Sequence, residues 1–318
     1  MAGAGAGGAR RAGRPEGDYR LPRRPLERAG RADGCGGAAA GGFPRVLGCA
    51  IGVGTGVARK ETIICDVIRV IVRWLGALIA GVAVLGLAAW VALSTRLTVP
   101  PKEALENGER ILQHSRVLVV VAHPDDADWW ISGTLKRLVD RGAQVLLVVA
   151  SDGEKGPNRI GAKDLPATRR EEQKAAQAVI GYQDLRFLGL PDREVVQQPN
   201  VLETIEEIGE EFQPTLVITF DPDTPDLPYL HPDHEGIGRV VKHWLEKRTQ
   251  PVAIAFFHTR RPNAAVEITD VYEAKLQALR QHRSQGLDRG GFSNRPQMAK
   301  NGSRVGVPLA ETFRLETM

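Results

Sequence analysis

A chain of 318 residues exceeds one average domain of about 100–200 residues without requiring a second. Its 42% hydrophobic and 25% charged residues are ordinary globular usage, which excludes a wholly disordered or fibrous protein. The formal charge is +4, yet residues 1–73 carry 13 Lys and Arg against 6 Asp and Glu, so the remainder is net acidic and nucleic-acid binding by the folded part loses its support.

From Met1 to Gly42 the sequence mixes Gly, Ala, Arg and Pro and offers almost nothing to bury, so residues 1–66 read as a disordered region. Cys35, Cys49 and Cys65 show no C-x-x-C spacing, which argues against both a zinc ribbon and a redox pair. Between Arg73 and Arg96 lie 22 residues without a charge, enough at 1.5 Å per residue to cross a hydrocarbon core of about 30 Å. Residues 67–96 therefore read as a single transmembrane anchor with Trp74 and Trp90 near its ends. Arg59, Lys60, Arg69 and Arg73 precede the span and only Arg96 closely follows it, so the positive-inside bias places residues from about 97 onward on the non-cytoplasmic side. A cleaved signal peptide would have a shorter apolar region, and a core helix of this length is seldom apolar on every face.

Residues 97–115 read as a linker and first helix containing Pro100-Pro101, and residues 116–318 as the catalytic domain. Within it, buried strands are expected at 116–122, 144–151, 184–190, 215–220 and 252–258. Helices are expected at 127–141, 168–180, 201–212, 235–247 and 271–282, with Gly142 and Gly181 as left-handed C-terminal caps. This alternation predicts a Rossmann-like α/β fold, a doubly wound and mostly parallel sheet with helices on both faces.

Sites in such sheets form where strands end at their carboxyl edges. Three polar clusters fall there: Ala122-His123-Pro124-Asp125-Asp126, then Ser151-Asp152-Gly153-Glu154, and Asp221-Pro222-Asp223 followed by Tyr229-Leu230-His231-Pro232-Asp233-His234. Proline fixes its own φ and disfavours helix in the residue before it, so the first loop turns sharply and displays His123 and Asp126 together. Two imidazoles and a carboxylate are borderline ligands that suit Zn²⁺ or Fe²⁺ better than Mg²⁺, and three protein ligands leave a position open, as in catalytic zinc sites. His114 and His243 read as surface residues.

On these motifs, the stretch from Arg116 to about Leu315 resembles the PIG-L, or LmbE-like, family of de-N-acetylases. Further matches are Asp152-Gly153-Glu154, Arg169-Arg170-Glu171-Glu172, His282-Arg283-Ser284-Gln285 and the terminal Glu311-Thr312-Phe313-Arg314-Leu315. The resemblance implies that His123, Asp126 and His234 hold Zn²⁺, with Fe²⁺ as the other candidate. It implies further that Asp125 is the general base for attack of metal-activated water on an N-acetyl group of an N-acetylglucosamine-type sugar, glycolipid or glycoconjugate. By the same resemblance His231 stabilises the oxyanion, Asp233 orients His231, Tyr229 closes over the carbonyl, and Arg169 or Arg170, with Asp152, contacts substrate. His282 either reaches the substrate pocket or caps its own helix. Ala127 stands where the family commonly has Glu, which leaves a supporting hydrogen bond lost or taken over by Asp128. A catalytically silent, membrane-anchored sugar-binding protein is the alternative. A nucleotide-binding Rossmann protein is disfavoured, because the first strand-to-helix turn lacks G-x-G-x-x-G and carries two aspartates.

Overall fold

A computed structural model of the chain describes residues 57–224, 231–289 and 293–318, so the disorder expected for residues 1–56 lies outside the described residues. The chain divides into two units, Met1–Val70 and Ile71–Met318. Helix α1 (Val57–Leu93) begins within the region expected to be disordered. Its Val67–Leu87 stretch has a mean hydropathy of 2.2, is exposed throughout, and is long and apolar enough to cross a membrane.

The remaining elements form one seven-stranded mixed sheet. Strands β1 (Arg116–Val121), β2 (Gln144–Ser151), β3 (Asp184–Leu190), β4 (Leu216–Phe220) and β5 (Ala253–Phe257) all pair in parallel. Val117–Val121 and Leu216–Phe220 are buried almost completely, as continuous Val, Leu, Ile and Phe runs must be when helices cover both faces of a sheet. Two strands were not anticipated. Strand β7 (Ala310–Thr317) runs antiparallel to β5, and β6 (Ala264–Glu267) runs antiparallel to β7. Both escape a search for long apolar runs, because β6 has only four residues and β7 alternates polar with apolar side chains.

The strand order β3-β2-β1-β4-β5-β7-β6 decides where a site can form. The chain winds outward from β1 through β2 to β3, then returns to add β4 on the other side of β1. The crevice between the carboxyl ends of β1 and β4 is the topological switch point, where ligands bind in open α/β sheets.

Helices α2 (Pro101–Ile111), α3 (Asp126–Trp130), α4 (Ser132–Asp140), α5 (Leu165–Ile180), α6 (Val201–Phe212), α7 (Pro232–Glu246), α8 (Tyr272–Leu279) and α9 (Arg295–Ser303) complete the unit. Helices α4, α5 and α8 pack together, as do α6 and α7. The single helix expected at 127–141 is broken at Ile131, where φ is −136°. The break exposes a fresh helix N-terminus. Glu311 of β7 occupies it, accepting the N–H groups of Gly133 at 3.0 Å and Thr134 at 2.7 Å. Lys275, fully buried, pairs with the same carboxylate at 2.7 Å.

Between α1 and α2 the chain is held along the domain. The Arg96 N–H donates to the Arg260 carbonyl and the Thr98 N–H to the Pro262 carbonyl, both at 2.9 Å.

Candidate metal centre and active site

The loop after β1 and the start of α7 meet at the switch point. His123 Nδ1 lies 3.3 Å from His234 Nε2, His234 Nε2 lies 3.3 Å from Asp126 Oδ1, and His123 Nδ1 lies 3.6 Å from Asp126 Oδ2. A tetrahedral ion with bonds of about 2.0–2.1 Å needs ligand atoms about 3.3–3.4 Å apart, which the two distances at His234 Nε2 match; the longer His123–Asp126 distance runs to the other carboxylate oxygen, Oδ2, which also accepts the His123 N–H at 2.8 Å. His231 also brings a ring nitrogen to within 4.8 Å of those of His123 and His234, but its ring lies nearly parallel to His234, 4.8 Å away.

The surroundings favour a cation. His123 Nε2 faces Asp192 Oδ1 at 3.1 Å and Asp233 Oδ2 at 3.5 Å. Burial works against a charge on His123, yet Asp126, Asp192 and Asp233 together hold its pKa well above the usual value. Burial likewise opposes ionisation of Asp192, but the bond to His123 outweighs it and brings the carboxyl to about 2. A carboxylate on Nε2 keeps the proton there and leaves the Nδ1 lone pair to a ligand, the arrangement of carboxylate–histidine–metal triads.

Asp125 stands beside the triangle with a strained backbone, φ 99° and ψ −26°. Such left-handed geometry is uncommon outside glycine and concentrates at functional sites. Burial raises the Asp125 pKa, with Asp126 adding to the effect and Arg169 opposing it. Arg169 Nη2 reaches Asp125 Oδ2 at 3.2 Å, and its Nη1 donates to the Gly153 carbonyl at 2.9 Å. Gly153 has φ +67°, and a Cβ there would sit 2.1 Å from Arg169 Nη1, so only glycine admits this arginine.

Asp125, Asp126, His231 and His234 line a cavity of about 590 Å³, with Trp129, Trp130 and His258 on its walls. Trp130 and His258 pack at 4.5 Å between ring centroids. A smaller cavity of about 230 Å³ shares Trp130, His258 and Gln297 as a common wall and continues past Thr224, Asn301 and Thr95. The His231 pKa falls to about 4 through burial and the neighbouring imidazoles His123 and His234, so its ring is neutral near pH 7.

Several expected residues are placed elsewhere. Tyr229 lies outside the described residues. Asp233 forms no hydrogen bond to His231 among the described residues. Its carboxylate accepts the Arg193 and Val195 N–H groups at 2.5 and 3.2 Å, fastening the loop after β3 to the start of α7. Arg169 is buried behind Asp125, and Arg170 is engaged by Asp152 at 2.5 and 2.7 Å, so all three residues are committed to internal pairs and are absent from the cavity wall. His282 neither lines the cavity nor caps a helix through its side chain. It is fully buried, with Nε2 2.9 Å from Asp128 Oδ2. Sequence reasoning missed Asp192 and His258, although they lie two residues and one residue past the carboxyl ends of β3 and β5, where such residues are expected.

The model of the PIG-L family, GlcNAc-PI de-N-acetylase, matches residues 118–245. A probable N-acetyl-alpha-D-glucosaminyl L-malate deacetylase 2 from Bacillus cereus is 34% identical over 186 residues, covering 53% of this chain and 83% of that protein. This chain belongs to the PIG-L family. The diacetylchitobiose deacetylase of Thermococcus kodakarensis is 31% identical, over 54% of this chain and 70% of that protein. The solved structure of N,N'-diacetylchitobiose deacetylase from Pyrococcus horikoshii superposes with a TM-score of 0.59 at 27% identity, covering 68% of this chain and 88% of that one. The relatives of this PIG-L domain are thus de-N-acetylases of N-acetylglucosamine-type substrates.

Proposed function

We propose that the chain is a zinc-dependent hydrolase that removes the acetyl group from a 2-acetamido sugar carried on a larger conjugate. The observation that carries this reading is the triangle of His123, Asp126 and His234 at 3.3–3.6 Å, opening beside Asp125 into the cavity. A bound zinc ion would supply Lewis acidity, polarising the amide carbonyl and lowering the pKa of water from 15.7 to about 7.

The chain's own groups do the rest. His123, Asp126 and His234 hold the ion, and Asp192 orients His123. Asp125 takes the proton of the attacking water and returns it to the departing amine, and its raised pKa suits a group that must do both. The neutral His231 ring is available to donate a hydrogen bond to the oxyanion, a contribution of about 3–4 kcal/mol for one such donor. Trp129 and Trp130 give the sugar an aromatic wall, and the adjoining cavity leaves room for the rest of the conjugate. We read the Val67–Leu87 stretch as a single-pass anchor, with the catalytic domain on the non-cytoplasmic side.

Acetate release by the full-length chain from N-acetylglucosamine and N,N'-diacetylchitobiose tests the proposal. Activity is expected to vanish with a chelator and return with Zn²⁺; undiminished turnover after complete metal removal would overturn it. Carbonate extraction of membranes tests the anchor, which is expected to keep the chain in the pellet.

A further inference from the structure

We propose that Gln173, held by Asp128, is a positioning residue that fixes the backbone of Asp125 in the left-handed conformation from which its carboxylate serves as the base. This inference rests on the function proposed above.

The geometry is specific. Gln173 is fully buried on α5, and its Oε1 accepts the Asp125 N–H at 2.9 Å. A backbone N–H can only donate, so the amide oxygen must face it and the amide nitrogen must point away. That nitrogen donates to Asp128 Oδ2 at 2.8 Å and to the Tyr182 hydroxyl at 3.1 Å. Asp128, also fully buried, is gripped in turn from α8 and beyond: His282 Nε2 lies 2.9 Å from Oδ2, and Lys275 donates to its main-chain carbonyl at 2.9 Å. One residue earlier on α5, Glu172 accepts both the Ser284 N–H and the Ser284 hydroxyl at 2.7 Å. The segment His282–Ser284 thus holds both Asp128 and Glu172, the α5 neighbour of Gln173.

An aspartate at φ 99° persists only if its surroundings over-determine it. The Asp125 carboxylate is held by Arg169 from one side, but its peptide N–H has Gln173 as its hydrogen-bond partner. Loss of that bond frees the peptide to relax toward ordinary φ, swinging the carboxylate away from the cavity while the ligands on either side keep their own contacts. The role is therefore one of aim, and its loss falls on turnover ahead of metal or substrate binding.

The test compares full-length wild-type chain with Gln173→Met and Asp128→Asn, measuring kcat, KM on N,N'-diacetylchitobiose and zinc affinity by chelator competition. Gln173→Met is expected to lower kcat about 10–100-fold, the usual effect of removing an outer-shell partner, with KM and zinc affinity within about twofold of wild type. Asp128→Asn keeps an oxygen facing both Gln173 and His282 and is expected to retain kcat within about threefold. Asp128→Ala, which frees the Gln173 amide to rotate, is expected to reproduce the kcat loss and carries the test if Gln173→Met does not fold. Unchanged kcat in Gln173→Met, or a fall matched by equal losses in zinc affinity, overturns the proposal. A wild-type chain that releases no acetate instead overturns the deacetylase reading itself.

Discussion

The Nε2 atom of His123 lies 3.1 Å from Oδ1 of Asp192, a residue 69 positions away on the loop after β3. That carboxylate sets which ring nitrogen carries the proton and so which one is free to bind metal. Asp192→Asn presents an amide able to donate as well as accept, and the ring loses its fixed orientation. Zinc affinity is expected to fall about 10–100-fold, measured by competition with a chromogenic chelator.

Asp125→Ala removes the proposed base while leaving His123, Asp126 and His234 in place. Zinc stoichiometry is expected to stay near that of the wild type and kcat to fall by about 10²–10⁴. Retention of full activity would move the base elsewhere in the cavity.

Gly153→Ala should be costly for its size. A Cβ at this position meets Arg169 Nη1 at 2.1 Å, and φ +67° disfavours any L side chain. Arg169 must shift and release both the Gly153 carbonyl and Asp125. A loss of more than about 1 kcal/mol in stability, read by chemical denaturation, is expected together with a drop in kcat.

Acid lability has a local contributor at the edge of β4. Burial opposes ionisation of Asp221, but Arg314 pairs with it at 2.6 Å and holds its pKa below the usual value. A carboxyl depressed on folding stabilises the native state above its unfolded pKa of about 3.9, and that stabilisation is lost as pH falls through the folded value. Arg314→Met is therefore expected to cost about 1.5–3 kcal/mol at pH 7. The gap in melting temperature between variant and wild type should narrow as pH falls below 4; a gap independent of pH would assign the effect to packing alone.

Much of the sheet was legible because parallel strands covered on both faces must be continuously apolar, and β2 matches its expected limits residue for residue; so does β3, although it is an edge strand and only partly buried where a buried one was expected. Strands β6 and β7 were hidden by shortness and alternation. The two segments bearing His123, Asp126 and His234 could be read because proline-bounded polar clusters after strands have few other uses. What stayed hidden is what depends on partners far away in sequence. Arg170 and Asp152 read as substrate contacts until they are seen joined to each other. His282 looks like a pocket residue until its 154-residue partnership with Asp128 removes it from solvent. No local pattern encodes either pairing.

The pair of backbone bonds that ties Arg96 and Thr98 to Arg260 and Pro262 leaves almost no slack after α1 ends at Leu93. An enzyme on a long leash sweeps a volume and meets substrates at many heights above its mooring. Here Thr95 already contributes to a wall of the cavity next to the catalytic one, so wherever the end of α1 is held, the cavity is held with it. On the anchor reading proposed above, its reach is governed by the geometry of the helix end, and lengthening the chain between Leu93 and Arg96 is expected to alter which substrates it meets without touching the chemistry.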